Sequence, residues 1–203
     1  MKIALFGGTF DPPHVGHQIV AEEARDTCGL HCVWWIPAGR SPHKLHSTSS
    51  AAEDRLVMTR LATERHKEFS VSNVELRRSL PSRTVDTVRE LVGRYPDCEF
   101  SLLVGMDNLS VFDEWFEPAE IVKMVPIIAY PRSGMTCKHL PAYLEVRVSF
   151  LDSPEISISA TEIRRRVSEG RSIRYLVCDE VREYIERKGL YQPRSSMCRQ
   201  GFL

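Results

Sequence analysis

The stretch Ile3–His17, IALFGGTFDPPHVGH, is the part of the chain that decides its fold. The short apolar run from Ile3 to Phe6 is typical of a buried β-strand, and it ends at a Gly-Gly pair. From about Val15 to Cys28, apolar residues recur at helical spacing, and Gly29 supplies a helix stop. The stretch therefore predicts a strand, a glycine-rich turn and a helix in succession.

The same alternation continues along most of the chain. Further strands are predicted at residues 32–36, 69–76, 100–104, 125–130 and 146–151, and further helices at 51–66, 85–94, 160–169 and 178–188. This pattern predicts an α/β fold with a Rossmann-like, doubly wound and mostly parallel sheet, followed by a small C-terminal helical appendage. We expect a single domain over residues 1–190, with the helical subdomain at about 155–190. Residues 191–203 show no periodicity and are predicted to be a frayed tail.

Composition excludes several classes of protein. The chain has 203 residues, of which 42% are hydrophobic and 27% are charged, and this is ordinary globular usage rather than that of a disordered or fibrous chain. No apolar run approaches the ~20 residues that span a bilayer, so we expect no membrane segment. Lys plus Arg and Asp plus Glu both number 27, and without a basic surplus nucleic acid is not an expected partner.

The cysteines and the N-terminal residues indicate a cellular compartment. Six cysteines are scattered without a C-x-x-C pair. Cys28, His31 and Cys32 could be imagined as metal ligands, but a closed zinc site needs a fourth partner and no matching pair follows. The apolar run before Gly7 is too short for a secretory signal. We therefore expect reduced thiols, no protein-held metal and a cytoplasmic location.

The turn between the first strand and the first helix carries the candidate chemistry. Ligands of open α/β sheets bind at the carboxyl ends of strands. Gly7 and Gly8 let a phosphate approach backbone N–H groups, and the helix N-terminus behind them favours an anion. His14 and His17 should project from one helix face, and Gly16 between them should leave the space beside that face open. These features predict a polyphosphate site.

A purely structural interpretation is a glycine-rich turn with two helix-capping histidines. A Gly-Gly pair alone is weak evidence, because tight turns account for most such pairs. A lone histidine is more often structural than functional. The joint pattern of glycines, prolines and two histidines is far more specific. It favours the functional interpretation.

At these residues the sequence resembles a known family. The pattern G-G-T-F-D-P-P-H-x-G-H at residues 7–17 is the signature of the H-x-G-H nucleotidyltransferases, and in this full form it is similar to the nicotinate-nucleotide adenylyltransferase family. The resemblance extends to about residue 190. Further segments match in the same order, namely SPHK at 41–44, SRTVDT at 82–87, GMD at 105–107 followed by Trp115, and ISATEIR at 158–164.

The sequence departs from the family pattern at three places. Arg83 stands where the family usually has Tyr, near the contact with the pyridine ring. An inward Arg83 would strengthen the preference for an acid substituent, whereas with Arg83 in solvent the backbone donors at the helix start should suffice. Ala160 replaces the second Ser of I-S-S-T but leaves Ser159 and Arg164 in place. The segment YPRSG at 130–134 replaces a more usual R-P-G turn.

The resemblance implies that the substrates are ATP and nicotinate mononucleotide. It implies catalytic roles for His14, His17, Lys44 and Arg164, with Lys44 reaching the phosphates and contributing to the mononucleotide site. ATP would also contact Gly105 and Asp107 at its ribose and Ser159 at its polyphosphate. Thr84 and Trp115 would bind the pyridine nucleotide, with Trp115 stacking on the ring. The remaining phosphate contacts would come from backbone groups at Gly7, Gly8, Thr9 and Phe10.

The implied reaction is adenylyl transfer in NAD biosynthesis. The mononucleotide phosphate attacks the α-phosphorus of ATP and pyrophosphate leaves, so no general base is required, because a phosphate monoester is already mostly ionised. Catalysis then depends on positioning and on stabilisation of charge. Mg²⁺ is the expected cofactor, bridging the ATP phosphates without a protein carboxylate cage.

Other functions stay open from the sequence alone. An adenylyltransferase of the same fold could use nicotinamide mononucleotide or phosphopantetheine as acceptor. Thr84 and Trp115 argue against phosphopantetheine. A non-catalytic nucleotide sensor could keep the fold, although the complete motifs argue against decay of the site. The sequence leaves the oligomeric state undecided, and a homo-oligomer is possible.

Overall fold

One parallel sheet organises the protein. The computed structural model describes residues 1–39, 50–78, 82–132 and 141–193. Six strands form a sheet in the order β3-β2-β1-β4-β5-β6, and all neighbouring pairs are parallel. This order is that of Rossmann-like folds, so the predicted fold class is confirmed. The strands are β1 (Lys2–Gly8), β2 (Cys32–Pro37), β3 (Phe69–Val71), β4 (Glu99–Gly105), β5 (Ile127–Tyr130) and β6 (Val148–Phe150).

Helices follow the strands and cover the sheet. A 3-10 helix at Phe112–Glu114 lies between α4 and α5. None of the helices in the described residues is long and apolar enough to cross a membrane. The α-helices are α1 (Val15–Thr27), α2 (Ala52–Thr63), α3 (Thr84–Arg94), α4 (Met106–Leu109), α5 (Pro118–Met124), α6 (Ala142–Glu145), α7 (Ala160–Ser168) and α8 (Asp179–Lys188).

Strand β1 is buried on both faces, as a central parallel strand must be. Ile3 and Leu5 pack into a core cluster with α3 and α5. Ala4 and Phe6 point the other way, into a second cluster with α1. Because both faces are covered, each residue from Ile3 to Phe6 is apolar, as expected for a strand in the middle of the sheet.

The C-terminal helices form a separate layer. Ile163 of α7 and Val181 and Ile185 of α8 share a buried cluster with Met58 and Ala62 of α2. The appendage therefore packs on α2 rather than on the strands. This packing directs the N-terminus of α7 back toward the loop that follows β1.

Several predicted boundaries are wrong. The strand expected at 69–76 has only three residues, because β3 pairs with β2 over Val33–Trp35 and the chain then turns. The strand expected from Val125 begins at Ile127, and the last strand is confined to Val148–Phe150. The short helices α4, α5 and α6 were not predicted, since helices of four to seven residues show too little periodicity.

Candidate functional site

The candidate site lies where the chain connections of the sheet change direction. β1 and β4 are neighbours, but the chain continues from β1 toward β2 on one side and from β4 toward β5 on the other. Such a switch point opens a crevice at the carboxyl ends of the strands. The turn after β1, Asp107 after β4 and Arg132 after β5 all follow these ends.

The turn after β1 is held by a buried aromatic ring. Phe10 has a φ of 48°, and its ring lies edge-on to Phe6 and to His17 at centroid distances of 5.5 and 5.1 Å. A Cβ added at Gly8 would lie 2.8 Å from this ring, whereas one at Gly7 would meet nothing within 4 Å. Gly8 is therefore required by packing, and Gly7 leaves open space above the strand end.

His14 and His17 form a stacked pair, with ring centroids 3.6 Å apart and an interplanar angle of 27°. The prediction that both rings project from one helix face is confirmed. His14 is the N-cap of α1, and its backbone N–H donates to Nδ1 of His17 over 3.1 Å. Since Nδ1 accepts this bond, the neutral His17 ring carries its proton on Nε2.

Gly16 lines a small cavity together with His14, His17 and Arg132, so the space expected beside this helix face is present but narrow. Gly16 is buried, and an added Cβ would lie 3.0 Å from Nδ1 of His14 and 3.1 Å from Cγ2 of Ile156. The missing side chain lets the His14 ring and Ile156 pack against the helix. The function of this glycine is close packing under the histidine pair.

Both histidines are neutral at physiological pH. Burial and, secondarily, the charge of Arg132 lower the pKa of His14 to about 3. Burial holds the pKa of His17 well below its ordinary value of 6.5, with further lowering by repulsion from a protonated His14 and from Arg132. The buried Nδ1 of His14 has no hydrogen-bond partner among the described residues. The pair therefore offers N–H donors without carrying formal charge.

Positive charge beside the histidine pair comes from Arg132, which sequence analysis did not single out. Its Nε lies 3.6 Å from Oδ2 of Asp107, while the buried Oδ1 of Asp107 has no hydrogen-bond partner in the described part of the chain. A Cβ at Gly105 would fall 2.4 Å from Oδ1, so the carboxylate could not keep this position beside a larger residue. The signal for Arg132 was its position just after a strand end, at the edge that binds ligands.

Helix α7 brings its N-terminus to the same turn. Ser159 is its N-cap, and the Ser159 hydroxyl accepts from the backbone N–H of Glu162 over 3.2 Å. Arg164 donates from Nη1 to the carbonyl oxygen of Asp11 over 2.7 Å. The structure thus places Arg164 directly on the loop that precedes His14.

A buried arginine, also missed from the sequence, supports the same loop. Arg55 of α2 is only 5% exposed, and its Nη1 donates to the carbonyl oxygens of Thr9 and Ala38 over 2.9 and 2.8 Å. It joins the turn after β1 to the turn after β2. Nothing in the local sequence distinguishes Arg55 from a surface arginine of a helix.

The residues expected at the pyridine nucleotide lie on α3 and on the 3-10 segment. Thr84 is the first residue of α3, one position earlier than the predicted start near Val85. Trp115 ends the 3-10 helix, and its ring packs on buried Phe112 with centroids 4.8 Å apart. Arg83 is exposed rather than inward, and its Cζ lies 3.8 Å from the ring centroid of Phe116. This contact ties the N-terminus of α3 to the segment that carries Trp115.

Two predicted features fall outside the described residues. Lys44 and the rest of the SPHK segment lie within 40–49, and the last two residues of the 130–134 segment lie within 133–140. The assignment of Lys44 stays a prediction.

Comparison with known proteins identifies the family. Residues 5–166 match the cytidylyltransferase-like family. The chain belongs to this family. A relative from Salinibacter ruber, named "Probable nicotinate-nucleotide adenylyltransferase", is 44% identical over 193 residues, which cover 95% of this chain and 99% of the relative. A relative of the same name from Geobacillus thermodenitrificans is 41% identical, with coverage of 97% and 88%.

A solved structure shares the fold. It is that of the Plasmodium falciparum nicotinic acid mononucleotide adenylyltransferase complexed with NaAD. Its TM-score is 0.80 at 18% identity, and the match covers 94% of this chain and 97% of that chain. The relatives at 44% and 41% identity confirm the resemblance to the nicotinate-nucleotide adenylyltransferase family that the sequence motifs indicate.

The low pKa of His14 predicts a loss of stability in acid. The unfolded chain binds a proton at this histidine below pH 6.5, whereas the folded protein binds it only near pH 3. Stability is therefore lost as the pH falls through this window, by up to ~1.4 kcal/mol per pH unit for one histidine. We expect the fall in unfolding free energy from pH 7.5 to pH 5 to be about 2 kcal/mol smaller in His14→Gln than in the wild type. Urea denaturation at the two pH values measures it, and equal falls would contradict the assignment.

Proposed function

We propose that the protein transfers the adenylyl group of ATP to nicotinate mononucleotide, giving nicotinate adenine dinucleotide and pyrophosphate. The observation that carries the proposal is the stacked pair of His14 and His17 at the N-terminus of α1, above the switch point of the sheet. Arg132 and Arg164 reach this point from two other elements. The relatives named nicotinate-nucleotide adenylyltransferase support the choice of acceptor and a place in NAD biosynthesis.

The turn after β1 is the proposed binding site of the ATP phosphates. Its open strand end at Gly7 lies before the N-terminus of α1, which attracts anions. Backbone groups of Gly8, Thr9 and Phe10 would contact the phosphates together with both imidazoles. Arg164, Ser159 and Lys44 complete the set as proposed contacts to the polyphosphate.

Asp107 is the proposed contact to the adenosine ribose. Its buried Oδ1 accepts no hydrogen bond from the described residues, and such an atom is costly to leave without a donor. A ribose hydroxyl could supply that donor. Gly105 is required for this carboxylate to lie against the end of β4.

The acceptor is proposed to bind between the start of α3 and Trp115. Thr84 lies at the N-terminus of α3, where free backbone N–H groups and the helix dipole favour a carboxylate. Trp115 is partly exposed and offers a ring face for stacking on a pyridine. An acid substituent on the ring would find matching donors there, whereas a neutral amide would direct its own NH₂ toward them.

The chemistry needs orientation more than proton transfer. A phosphate oxygen of the mononucleotide bonds to the α-phosphorus, the bond from that phosphorus to the bridging oxygen breaks, and pyrophosphate leaves with the electron pair. Nε2–H of His17 donates a hydrogen bond, while Arg132 and Arg164 supply full positive charge. Donors aimed at charge that grows in the transition state are a large source of rate enhancement.

Mg²⁺ is the proposed cofactor. Groups of three or more His, Cys, Asp or Glu that could hold a metal are absent from the described residues. The donors around the turn are imidazoles and guanidinium groups, which suit phosphate rather than Mg²⁺. Mg²⁺ would therefore be held mainly by ATP oxygens and water, and it would neutralise phosphate charge.

The four described cysteines are free thiols, which supports a cytoplasmic location.

The acceptor is tested by comparing the acid with the amide. We expect kcat/KM to be at least ~10²-fold higher for nicotinate mononucleotide than for nicotinamide mononucleotide, a difference of ~2.7 kcal/mol. Steady-state kinetics at saturating ATP and Mg²⁺ measure both values. A preference for the amide would overturn the acceptor while leaving adenylyl transfer intact, and ATP binding without pyrophosphate release would indicate a nucleotide sensor.

His17 is expected to act on the transition state. His17→Ala removes an N–H donor, so kcat should fall by ~10²–10³-fold with a native circular dichroism spectrum. His31→Ala is the matched control, because His31 is exposed and distant in the sheet from the turn; its kcat should stay within about twofold of the wild type. Unchanged turnover in His17→Ala would remove this residue from the mechanism.

Arg83 is expected to affect the acceptor rather than ATP. An exposed cation–π contact is worth ~0.5–1 kcal/mol, so Arg83→Ala should raise KM for the mononucleotide about two- to fivefold, with KM for ATP little changed. Arg89→Ala is the control, since it removes the neighbouring exposed ion pair with Glu117 (3.1 Å), a type worth little. Equal effects of the two substitutions on KM would refute a specific role for the Arg83–Phe116 contact.

A further inference from the structure

Asp11 is a buried carboxylate that the proposed chemistry does not use. It is 2% exposed and stands in the middle of the turn after β1. Its Oδ1 accepts from the hydroxyl of Tyr191 over 2.6 Å, and its Oδ2 accepts from the backbone N–H of Ser50 over 3.1 Å. The backbone carbonyl of the same residue accepts from Arg164. Asp11 therefore connects three distant parts of the chain to the proposed phosphate site.

Tyr191 is the most unexpected of these partners. It is the first residue of the segment that the sequence predicts to be frayed, yet its hydroxyl reaches 180 residues back along the chain. Its φ is 62°, a left-handed conformation that a residue with a side chain adopts only when its contacts stabilise it. Burial and the charge of Asp11 raise the pKa of Tyr191 above its ordinary value, so the hydroxyl stays a donor.

The hydroxyl of Tyr191 supplies the hydrogen bond to Oδ1 of Asp11, which the neighbouring arginines do not supply. Arg55 donates to the carbonyls of Thr9 and Ala38 rather than to this carboxylate. Arg164 donates to the carbonyl of Asp11 and to the hydroxyl of Thr161. Without Tyr191, Oδ1 would lose its donor in a buried place, where an unpaired charged oxygen is costly. The loop would then shift to bring water or another donor to that oxygen.

We propose that Tyr191 is a positioning residue for adenylyl transfer. Through Asp11 it holds the loop that precedes His14, and with it the carbonyl that orients Arg164, in the geometry that the ATP phosphates need. This inference rests on the proposed function for its catalytic part, whereas its effect on ATP binding does not depend on the acceptor.

The chain offers a matched control for the test. Tyr184 of α8 donates to Oδ1 of Asp54 in α2 over 2.7 Å, so it makes the same kind of bond in the same helical layer. Tyr184→Phe and Tyr191→Phe each remove one hydroxyl and one tyrosine–aspartate hydrogen bond. Only the bond from Tyr191 to Asp11 reaches the loop after β1.

We expect Tyr191→Phe to weaken ATP binding, measured by calorimetry with Mg²⁺ and no acceptor, by about five- to tenfold. kcat/KM for ATP should fall by a similar factor, while KM for the mononucleotide changes less than about twofold. Tyr184→Phe should leave all three values within about twofold, even where thermal melting shows an equal loss of stability. Equal effects of the two variants on ATP, or unchanged ATP affinity in Tyr191→Phe, would overturn the proposal.

A double-mutant cycle tests whether Tyr191 acts through Asp11. In the background of Asp11→Ala, adding Tyr191→Phe should change ATP affinity by less than twofold, because the acceptor of the bond is already gone. Full additivity of the two effects would overturn the assigned route. If the wild type binds ATP but forms no dinucleotide, the proposed function fails, and the calorimetric comparison of the tyrosine variants still decides the role of Tyr191.

Discussion

The stacking of two neutral imidazoles at a helix N-terminus is the interaction on which the rest of the site depends. Two protonated rings 3.6 Å apart would repel each other, and burial removes this conflict by keeping His14 and His17 uncharged. The hydrogen bond from the His14 backbone to His17 fixes the tautomer of the second ring. Gly16 lets the pair pack against the helix, and Phe10 supports it from the turn.

Because the histidines carry no charge, positive charge for an anionic ligand has to come from elsewhere. Arg132 follows β5, Arg164 belongs to α7, and Arg55 belongs to α2. Arg55 and Arg164 each donate to a backbone carbonyl of the turn after β1, whereas Arg132 acts on the histidine pair through its charge. A chain of zero formal charge thus assembles a local positive site without a basic surface.

The helical appendage has a clear physical connection to the turn after β1. Its buried cluster with α2 sets the position of α7, and this position allows Arg164 to reach the carbonyl of Asp11. Arg55, which also belongs to α2, donates to the carbonyls of Thr9 and Ala38. One helix therefore links the C-terminal layer to two loops at the ligand-binding edge of the sheet.

The sequence by itself determined the fold class and the glycine-rich turn that carries the two histidines, because both depend on local patterns: an apolar strand, a glycine pair and two histidines one helical turn apart. Family motifs further along the chain pointed to Asp107, Thr84, Trp115 and Arg164. Only the tertiary structure decided that Gly16 is packed, that Arg83 lies on Phe116, and which charges surround the histidines. The reason is that burial and electrostatics are set by elements far apart in sequence, such as β5, α2 and α7, whose juxtaposition has no local signal.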